Sequence, residues 1–191
     1  MEVVAPDEAL IQHVWSVQQI EQLAYLYALA VDSRNLDALV ALFTPEVEVG
    51  MDGRERDPDR REVRHGREAL RLWFAQSLRS FRASFLSVTN HIIDFQSDSA
   101  ATGIVYCRAE LDVGDQWIIQ AIQYWDDYVR HGGDWYFAYR RHLMLYSLEM
   151  HESPIGQRPV QFPASQTGLG ALPAAHPSWA HFWSIDAREK R

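Results

Sequence analysis

Four consecutive stretches rich in β-branched and aromatic residues occupy the second half of the chain and limit the folds open to it. Short turns containing Gly, Asp or Ser separate them, at 97–98, 114–115 and 131–134. Turns this short join antiparallel neighbours, because a parallel connection needs a crossover of a dozen or more residues. The sequence therefore predicts an antiparallel meander of four strands, at 84–96, 100–113, 116–130 and 134–148.

Helical patterns precede the strands. Asp7 suits the N-cap of a first helix that ends near Trp15, and Ser16 with Gln19 forms a capping box for a second helix that continues to Val31. In the second helix apolar residues recur every three or four positions, as expected for a helix packed on a sheet. This apolar stripe contains Ile20, Leu23, Ala24, Tyr27, Ala28 and Val31.

Two more helices are predicted over 36–43 and 68–78, with a short strand, Val47–Met51, between them. Helices that cover one face of a meander define an α+β fold. Residues 52–65 contain ten charged residues and almost nothing to bury. A mobile loop is therefore expected there.

The C-terminal residues have a different composition. Five prolines interrupt residues 153–177, which are expected to form an irregular arm instead of a second domain. The arm ends in Trp179, Phe182 and Trp183, whose spacing puts three rings on one face of a short helix. We expect these rings to dock on the body or on a neighbouring subunit. The chain is thus divided into a domain at 1–150 and an arm at 151–191.

Charge and composition exclude several classes of partner. The formal charge of −8 argues against nucleic acids and anionic membranes, because both would repel most of the surface. No apolar run is long enough to cross a bilayer, and the N-terminus lacks the basic and apolar regions of a signal peptide. The only cysteine, Cys107, cannot form an internal disulfide. These features predict a cytoplasmic protein.

An acid and a lone imidazole stand on predicted core elements. Asp32 lies one turn beyond Ala28, at the edge of the apolar stripe, and His91 lies in the first predicted strand. Such a pair can move a proton inside an apolar pocket. The plain alternatives are that Asp32 caps the helix beginning near Leu36 and that His91 is a buried structural residue. The predicted face of His91 is mostly apolar, with Phe85, Thr89, Ile93 and Phe95.

Motifs for other chemistries are missing. The eight histidines show no paired spacing with one another or with carboxylates, and neither a glycine-rich phosphate loop nor a serine nucleophile elbow is present. No metal and no cofactor are therefore expected. The many Trp, Tyr and Phe residues suit a hydrophobic pocket for a small cyclic, terpenoid, steroid-like or aromatic molecule, although the same residues also build cores.

Residues 16–148 resemble the SnoaL-like group of the nuclear-transport-factor-2-like superfamily. The resemblance rests on Ile20–Tyr27, on Val31–Phe43, and on the closing hairpin formed by Tyr128–Arg130 and Asp134–Phe137. It implies a cone-shaped α+β fold, in which a curved, mostly antiparallel sheet wraps around the N-terminal helices and encloses a pocket. The superfamily also contains isomerases, cyclases, epoxide hydrolases and binding domains, so the fold alone does not select a reaction.

Within that group the chain resembles scytalone dehydratase, hexachlorocyclohexane dehydrochlorinase and bile-acid 7α-dehydratase, which use an Asp-His dyad. The resemblance implies that His91 is the base and Asp32 its acidic partner. It also implies that Arg140 lies in the pocket and that Tyr27 occupies a polar catalytic position. A carboxylate bonded to one imidazole nitrogen fixes the tautomer and stabilises the imidazolium that forms.

Two departures from scytalone dehydratase bear on the reaction. That enzyme has a second pocket histidine near the position of Glu110, and it has a tyrosine where this chain has Val31. Glu110 is therefore a candidate for substrate binding, with a surface charge as the alternative. For Arg140 the alternative is a surface salt bridge.

The remaining candidates for substrate binding come from strand and helix spacing. His142 and Met144 alternate with Arg140 along the last strand and are expected to line the pocket beside it. On an ideal helix Tyr25 shares the face of Asp32 better than Tyr27 does, so the choice between the two tyrosines stays open.

The combined prediction is a cofactor-free acid/base lyase of the dehydratase type, acting on a small hydrophobic or cyclic substrate. An isomerase or polyketide-type cyclase that uses the same base is the enzymatic alternative, and a non-catalytic ligand-binding domain is the third. Because the resembled dehydratases are trimers, a homo-oligomer is expected, with a trimer favoured over a dimer.

Overall fold

The computed structural model describes residues 7–51, 62–114, 116–150 and 176–185. None of the helices in these ranges is long and apolar enough to cross a bilayer. The helices are α1 (Glu8–Asp32), α2 (Leu36–Ala41), α3 (Arg67–Ser77), which a 3-10 turn at Leu78–Ser80 extends, and α4 (Pro177–Ile185). The strands are β1 (Phe43–Met51), β2 (Glu62–His65), β3 (Ala83–Ser97), β4 (Ala100–Asp112), β5 (Trp117–His131) and β6 (Asp134–Met150).

Helix α1 is a single helix of 25 residues. Asp7 caps it as predicted, by accepting a hydrogen bond from the backbone N–H of Ala9 at 3.1 Å. The predicted break at Ser16 is wrong, because Ser16 is buried inside the helix and its hydroxyl lies 3.4 Å from the side-chain amide of Gln12. No Gly or Pro lies within Glu8–Asp32 to interrupt the helix. The predicted apolar stripe is buried throughout.

The six strands form one sheet in the order β2-β1-β6-β5-β4-β3. Strands β1 and β6 pair in parallel, and every other pair is antiparallel. The predicted meander is confirmed, since each of β3 to β6 begins and ends within two residues of its predicted bounds. With α1 packed against one face, the architecture is the predicted α+β cone.

The region between α2 and α3 differs from its prediction. Strand β1 begins at Phe43, so α2 ends two residues earlier than predicted. Strand β2 pairs antiparallel with β1, and His65 lies opposite Glu48. The last four residues of the predicted loop are therefore an edge strand, and the rest of that loop, residues 52–61, lies outside the described residues.

Irregularities in strand pairing bend the sheet around α1. The register shifts between Val88 and His91 in β3, and again between Ala121 and Ile122 in β5. Such bulges bend a strand and increase its twist. The concave inner face that results packs on α1, and the core lies between them.

Helix α4 docks on the body of its own chain. The Ser178 hydroxyl donates a hydrogen bond to the backbone carbonyl of Ser33 at 2.7 Å. Phe182 is buried in the core, and the Arg34 guanidinium lies 5.1 Å from the ring of Trp179. The aromatic helix therefore covers the end of α1, while the preceding residues of the arm, 151–175, lie outside the described residues.

Candidate active site

A cavity of about 350 Å³ lies between α1, α3 and the inner face of the sheet. Its walls are mostly apolar and include Trp73, Phe74, Leu86 and Ile122. Its few polar side chains are Tyr27, Ser77, Gln120, Tyr124, Arg140 and His142. A mostly apolar cavity with few convergent polar groups is the usual form of a small-molecule site.

Arg140 is the charged group of this wall, and only 2 % of it is exposed. Its Nε and Nη2 donate hydrogen bonds of 2.8 and 2.7 Å to Asp126. Burial alone would lower the pKa of Arg140, but Asp126 raises it above its ordinary value. The guanidinium carbon lies 4.3, 4.2 and 4.1 Å from the ring centroids of Tyr27, Tyr124 and Phe137. Nη1 is buried and has no hydrogen-bond partner among the described residues.

Of the two candidate tyrosines on α1, Tyr27 is the one that reaches the cavity. Burial raises the pKa of Tyr27 to about 12, although the charge of Arg140 opposes this. The phenol is therefore protonated at neutral pH and is a second hydrogen-bond donor at the wall. The prediction for Tyr25 is corrected, because this residue is 45 % exposed and does not line the cavity.

His142 and Met144 line the cavity where the alternation along β6 puts them. The His142 ring lies 5.5 Å from the ring of Tyr124 in an edge-to-face contact. Burial, reinforced by the positive charge of Arg140, lowers the pKa of His142 to about 4. The imidazole is therefore neutral at neutral pH.

Asp32 belongs to a separate polar cluster at the end of α1. Its carboxylate accepts hydrogen bonds from the Ser84 hydroxyl at 2.8 Å and from the Leu86 backbone N–H at 2.9 Å. Burial raises the pKa of Asp32 to about 6, although both hydrogen bonds and the charge of Arg34 oppose this. Asn35, not Asp32, caps α2, which excludes the plain alternative of a capping role for Asp32.

His91 has different partners from those predicted. Its Nε2 lies 2.9 Å from the Tyr128 hydroxyl, which itself donates to Asp126 at 2.9 Å. Burial lowers the pKa of His91 to about 4, although the charge of Asp126 opposes this. The predicted direct hydrogen bond between Asp32 and His91 is wrong, because each side chain is bonded elsewhere. Neither of them lines the cavity.

Position along β3 explains this error, because Asp32 bonds near the start of the strand, at Ser84 and Leu86, and His91 lies five residues beyond Leu86. The bulge in β3 affects only the face on which His91 lies. Side chains alternate across a regular strand, so Phe85 and His91 were expected on one face. The extra residue between Val88 and His91 reverses this relation. Phe85 is 59 % exposed on the outer side. Ser84 faces Asp32, while His91 lies on the inner face farther along the strand.

Glu110 lies on the outer face of the sheet, away from the cavity. Its carboxylate accepts from Arg108 Nε at 3.3 Å and from Trp117 Nε1 at 3.1 Å. The predicted contact of Glu110 with substrate is therefore corrected. The physical reason is strand parity, because Ala109 and Leu111 on either side of it are the residues that line the cavity.

Sequence reasoning missed Asp126, Tyr128 and Gly103. The signal for Asp126 was its position between two tyrosines in the alternation Tyr124-Asp126-Tyr128, which puts the acid on the buried face. Gly103 is needed because a Cβ there would lie 2.9 Å from Tyr128 Cε2 and 3.2 Å from His91 Nε2. The glycine leaves the space in which these two side chains meet.

No three His, Cys, Asp or Glu side chains converge as metal ligands within the described ranges. Cys107 is buried on the inner face of β4, and burial raises the pKa of its thiol to about 12. The thiol is therefore protonated at neutral pH. The chemistry available at the cavity consists of hydrogen-bond donation by Arg140 and Tyr27 and of proton transfer by an imidazole.

Several solved structures share this fold. A protein from Novosphingobium aromaticivorans, provisionally named scytalone dehydratase, has 23 % identity over 78 % of this chain and 98 % of its own, with a TM-score of 0.63. Hexachlorocyclohexane dehydrochlorinase from Novosphingobium barchaimii has 23 % identity over 74 % of this chain and 94 % of its own, with a TM-score of 0.64. A Mycobacterium tuberculosis protein of unknown function has 19 % identity over 97 % of this chain and 96 % of its own, with a TM-score of 0.61.

The curated proteins contain no significant match to this sequence. The SnoaL-like domain, in contrast, matches residues 12–141, which run from α1 into β6 and include most of the residues that line the cavity. This match covers well over half of the chain and agrees with the resemblance of its helices and closing hairpin. The chain therefore belongs to the SnoaL-like domain family.

Proposed function

We propose that the chain is a cofactor-free lyase, which removes a proton and a leaving group from neighbouring atoms of a small hydrophobic cyclic molecule. The observation that carries this proposal is the buried Arg140, whose Nη1 has no partner among the described residues and which lines a mostly apolar cavity. An unused donor on a buried cation suits a group that acquires negative charge. Two similar structures named for eliminations, of water and of hydrogen chloride, support this choice.

Arg140 and Tyr27 are the groups that assist the departing hydroxide or halide. Both line the cavity, and the guanidinium lies 4.3 Å from the Tyr27 ring. The negative charge that develops on the leaving group is stabilised by donors fixed in place before the reaction. Asp126 holds the guanidinium through two hydrogen bonds, so little reorganisation is needed when the charge appears.

The proton acceptor in this proposal is a neutral imidazole. The resemblance assigns that role to His91, which stays a prediction, while the partner of its ring is Tyr128 and not Asp32. A second neutral imidazole, His142, lines the cavity itself. General-base catalysis contributes about 10²–10⁴-fold to the rate, so loss of the true base has a large and measurable effect.

The test is product analysis with defined probes: hexachlorocyclohexane, scytalone and a panel of cyclic β-hydroxy ketones. We expect release of chloride or water together with a new carbon–carbon double bond. A product that retains every atom of its substrate would support the isomerase or cyclase alternative instead. Absence of turnover with every probe would contradict the proposal.

A matched pair of tyrosine variants tests the leaving-group side. Tyr27→Phe keeps the buried ring and removes the donor, so kcat is expected to fall about 10- to 100-fold with little change in KM. Tyr25→Phe makes the same chemical change outside the cavity and is the control, with no change expected. Equal activity of the two variants would exclude Tyr27 from the mechanism.

A further inference from the structure

The two neutral histidines on the inner face of the sheet differ in their access to the cavity. His142 lines it, whereas His91 does not. Both have a pKa lowered to about 4, so ionisation does not distinguish them. Their surroundings do.

Both ring nitrogens of His91 are inaccessible. Asp126 accepts hydrogen bonds from Arg140 and from Tyr128, so the single hydroxyl hydrogen of Tyr128 is committed to Asp126. The Tyr128 oxygen must then accept from His91 Nε2–H, which leaves the lone pair of the neutral ring on Nδ1. Nδ1 is buried, with no hydrogen-bond partner among the described residues. This lone pair is held inside the protein, and His91 is not a lining residue of the cavity.

His142 stands beside the group that we assign to the leaving group. It is two residues from Arg140 on the same face of β6, and the two backbone positions are therefore about 6.5 Å apart. A base and a donor at this spacing can act on two adjacent ring carbons of one substrate. Tyr124, opposite His142 in β5, packs against the imidazole and orients it.

We propose that His142 is the general base of the reaction, an inference that rests on the proposed function. The lone pair of the His142 ring takes the proton from a substrate C–H bond. The electrons of that bond form the new carbon–carbon double bond, and the leaving group departs with its own bonding pair. The resulting anion accepts hydrogen bonds from Arg140 Nη1 and Tyr27, and the imidazolium then loses its proton to water.

The position next to Arg140 also couples the two halves of the step. The guanidinium disfavours a second positive charge on His142 in the empty cavity. As the leaving group departs, its negative charge offsets that of Arg140, and protonation of the imidazole becomes easier. Proton removal and departure of the leaving group therefore assist each other.

Alanine variants of three histidines test the assignment on any probe that the wild type turns over. His142→Ala is expected to lower kcat at least 100-fold, whereas His91→Ala is expected to lower it less than tenfold. The control is His131→Ala, at the exposed end of β5 outside the cavity, with no change expected. Circular dichroism and thermal unfolding check that each variant is folded.

Chemical rescue separates catalysis by His142 from a packing role. The space vacated in His142→Ala lies at the cavity wall. Added imidazole is therefore expected to raise the activity of this variant at least tenfold and to leave the activity of His91→Ala unchanged. Two results would overturn the assignment while the lyase function stands. One is a His142→Ala variant that is as active as an active wild type. The other is loss of activity without rescue in His142→Ala, together with loss and rescue of activity in His91→Ala. A wild type without elimination activity would remove the function itself.

Discussion

Two carboxylate–arginine clusters, Asp32 with Arg34 and Asp126 with Arg140, contain the same charges in different arrangements. Arg140 contacts Asp126 directly, through hydrogen bonds of 2.8 and 2.7 Å. Arg34 reaches Asp32 only through Ser84, which accepts from Arg34 Nη1 at 2.8 Å and donates to Asp32 at 2.8 Å. One pair is in contact, and the other is separated by a hydroxyl group.

This difference decides which effect dominates ionisation. In the separated pair the effect of burial exceeds the attraction between the charges. Burial raises the pKa of Asp32 to about 6 and lowers that of Arg34 to about 10. In the direct pair the attraction of Asp126 exceeds the effect of burial, and the pKa of Arg140 rises. Arg140 of the direct pair therefore stays charged at the cavity wall. The separated pair supplies a carboxyl group that titrates near neutral pH.

The same substitution in each pair should have opposite effects on stability. Asp126→Asn is expected to lower the free energy of unfolding by about 3–5 kcal/mol, because Arg140 loses its buried counter-charge. Asp32→Asn is expected to raise it by about 1–2 kcal/mol at pH 8, because it removes a charge that burial disfavours. Urea unfolding followed by tryptophan fluorescence measures both. Losses of equal size in the two variants would break the comparison.

The pH dependence of Asp32→Asn sharpens the comparison. The folded-state pKa of Asp32, about 6, lies above its ordinary value near 4. The protonated carboxyl therefore contributes stability that is fully present below about pH 4 and is lost as the pH rises through 6. The gain from Asp32→Asn should be present at pH 8 and absent at pH 4. A gain of the same size at pH 4 would show that charge is not its cause.

More of the fold than of the contacts within the site could be predicted from the sequence. Turn residues and alternation located β3 to β6, and three-to-four spacing located the buried stripe of α1, because these patterns depend on local geometry. The division of α1 at Ser16 failed, because a capping box also fits inside an uninterrupted helix. There the N–H groups of Ser16 and its neighbours already have partners in the preceding turn.

The partners of His91 depend on long-range features that no local pattern contains. One extra residue in β3 changed the face on which its neighbours lie, so Phe85 points outward while His91 points inward. Asp126 precedes a second acid, Asp127, and two adjacent acids are typical of a charged surface. The buried position of Asp126 follows only once the inward-facing residues of the strand are known. The positions of three residues at the cavity wall could be predicted, namely Arg140, His142 and Met144. The pairing of β6 with β5 has no register shift from Arg140 to Met144, so the three side chains keep a common face.

The aromatic helix α4 contributes to the separated pair alone. The Arg34 guanidinium lies between the rings of Phe81 and Trp179, at 5.1 Å from each. Trp179→Ala removes one of these faces and is expected to lower the free energy of unfolding by about 1–2 kcal/mol. Trp15→Ala is the control, since Trp15 is 51 % exposed on α1, and a change within about 0.5 kcal/mol is expected. Similar effects of the two substitutions, measured by urea unfolding, would show that α4 does not stabilise Arg34.

Glu110 extends the comparison to a carboxylate–arginine pair on the outer face. Arg108 Nε lies 3.3 Å from Glu110, and 52 % of the Arg108 side chain is exposed, so water screens their attraction. The amide oxygen in Glu110→Gln can still accept from Trp117 Nε1. We therefore expect a loss of no more than about 0.5 kcal/mol in urea unfolding and unchanged kcat and KM. A tenfold loss of kcat in this variant would show that Glu110 acts in the active site. It would also contradict the alternation along the strand that places Glu110 on the opposite face from Arg140.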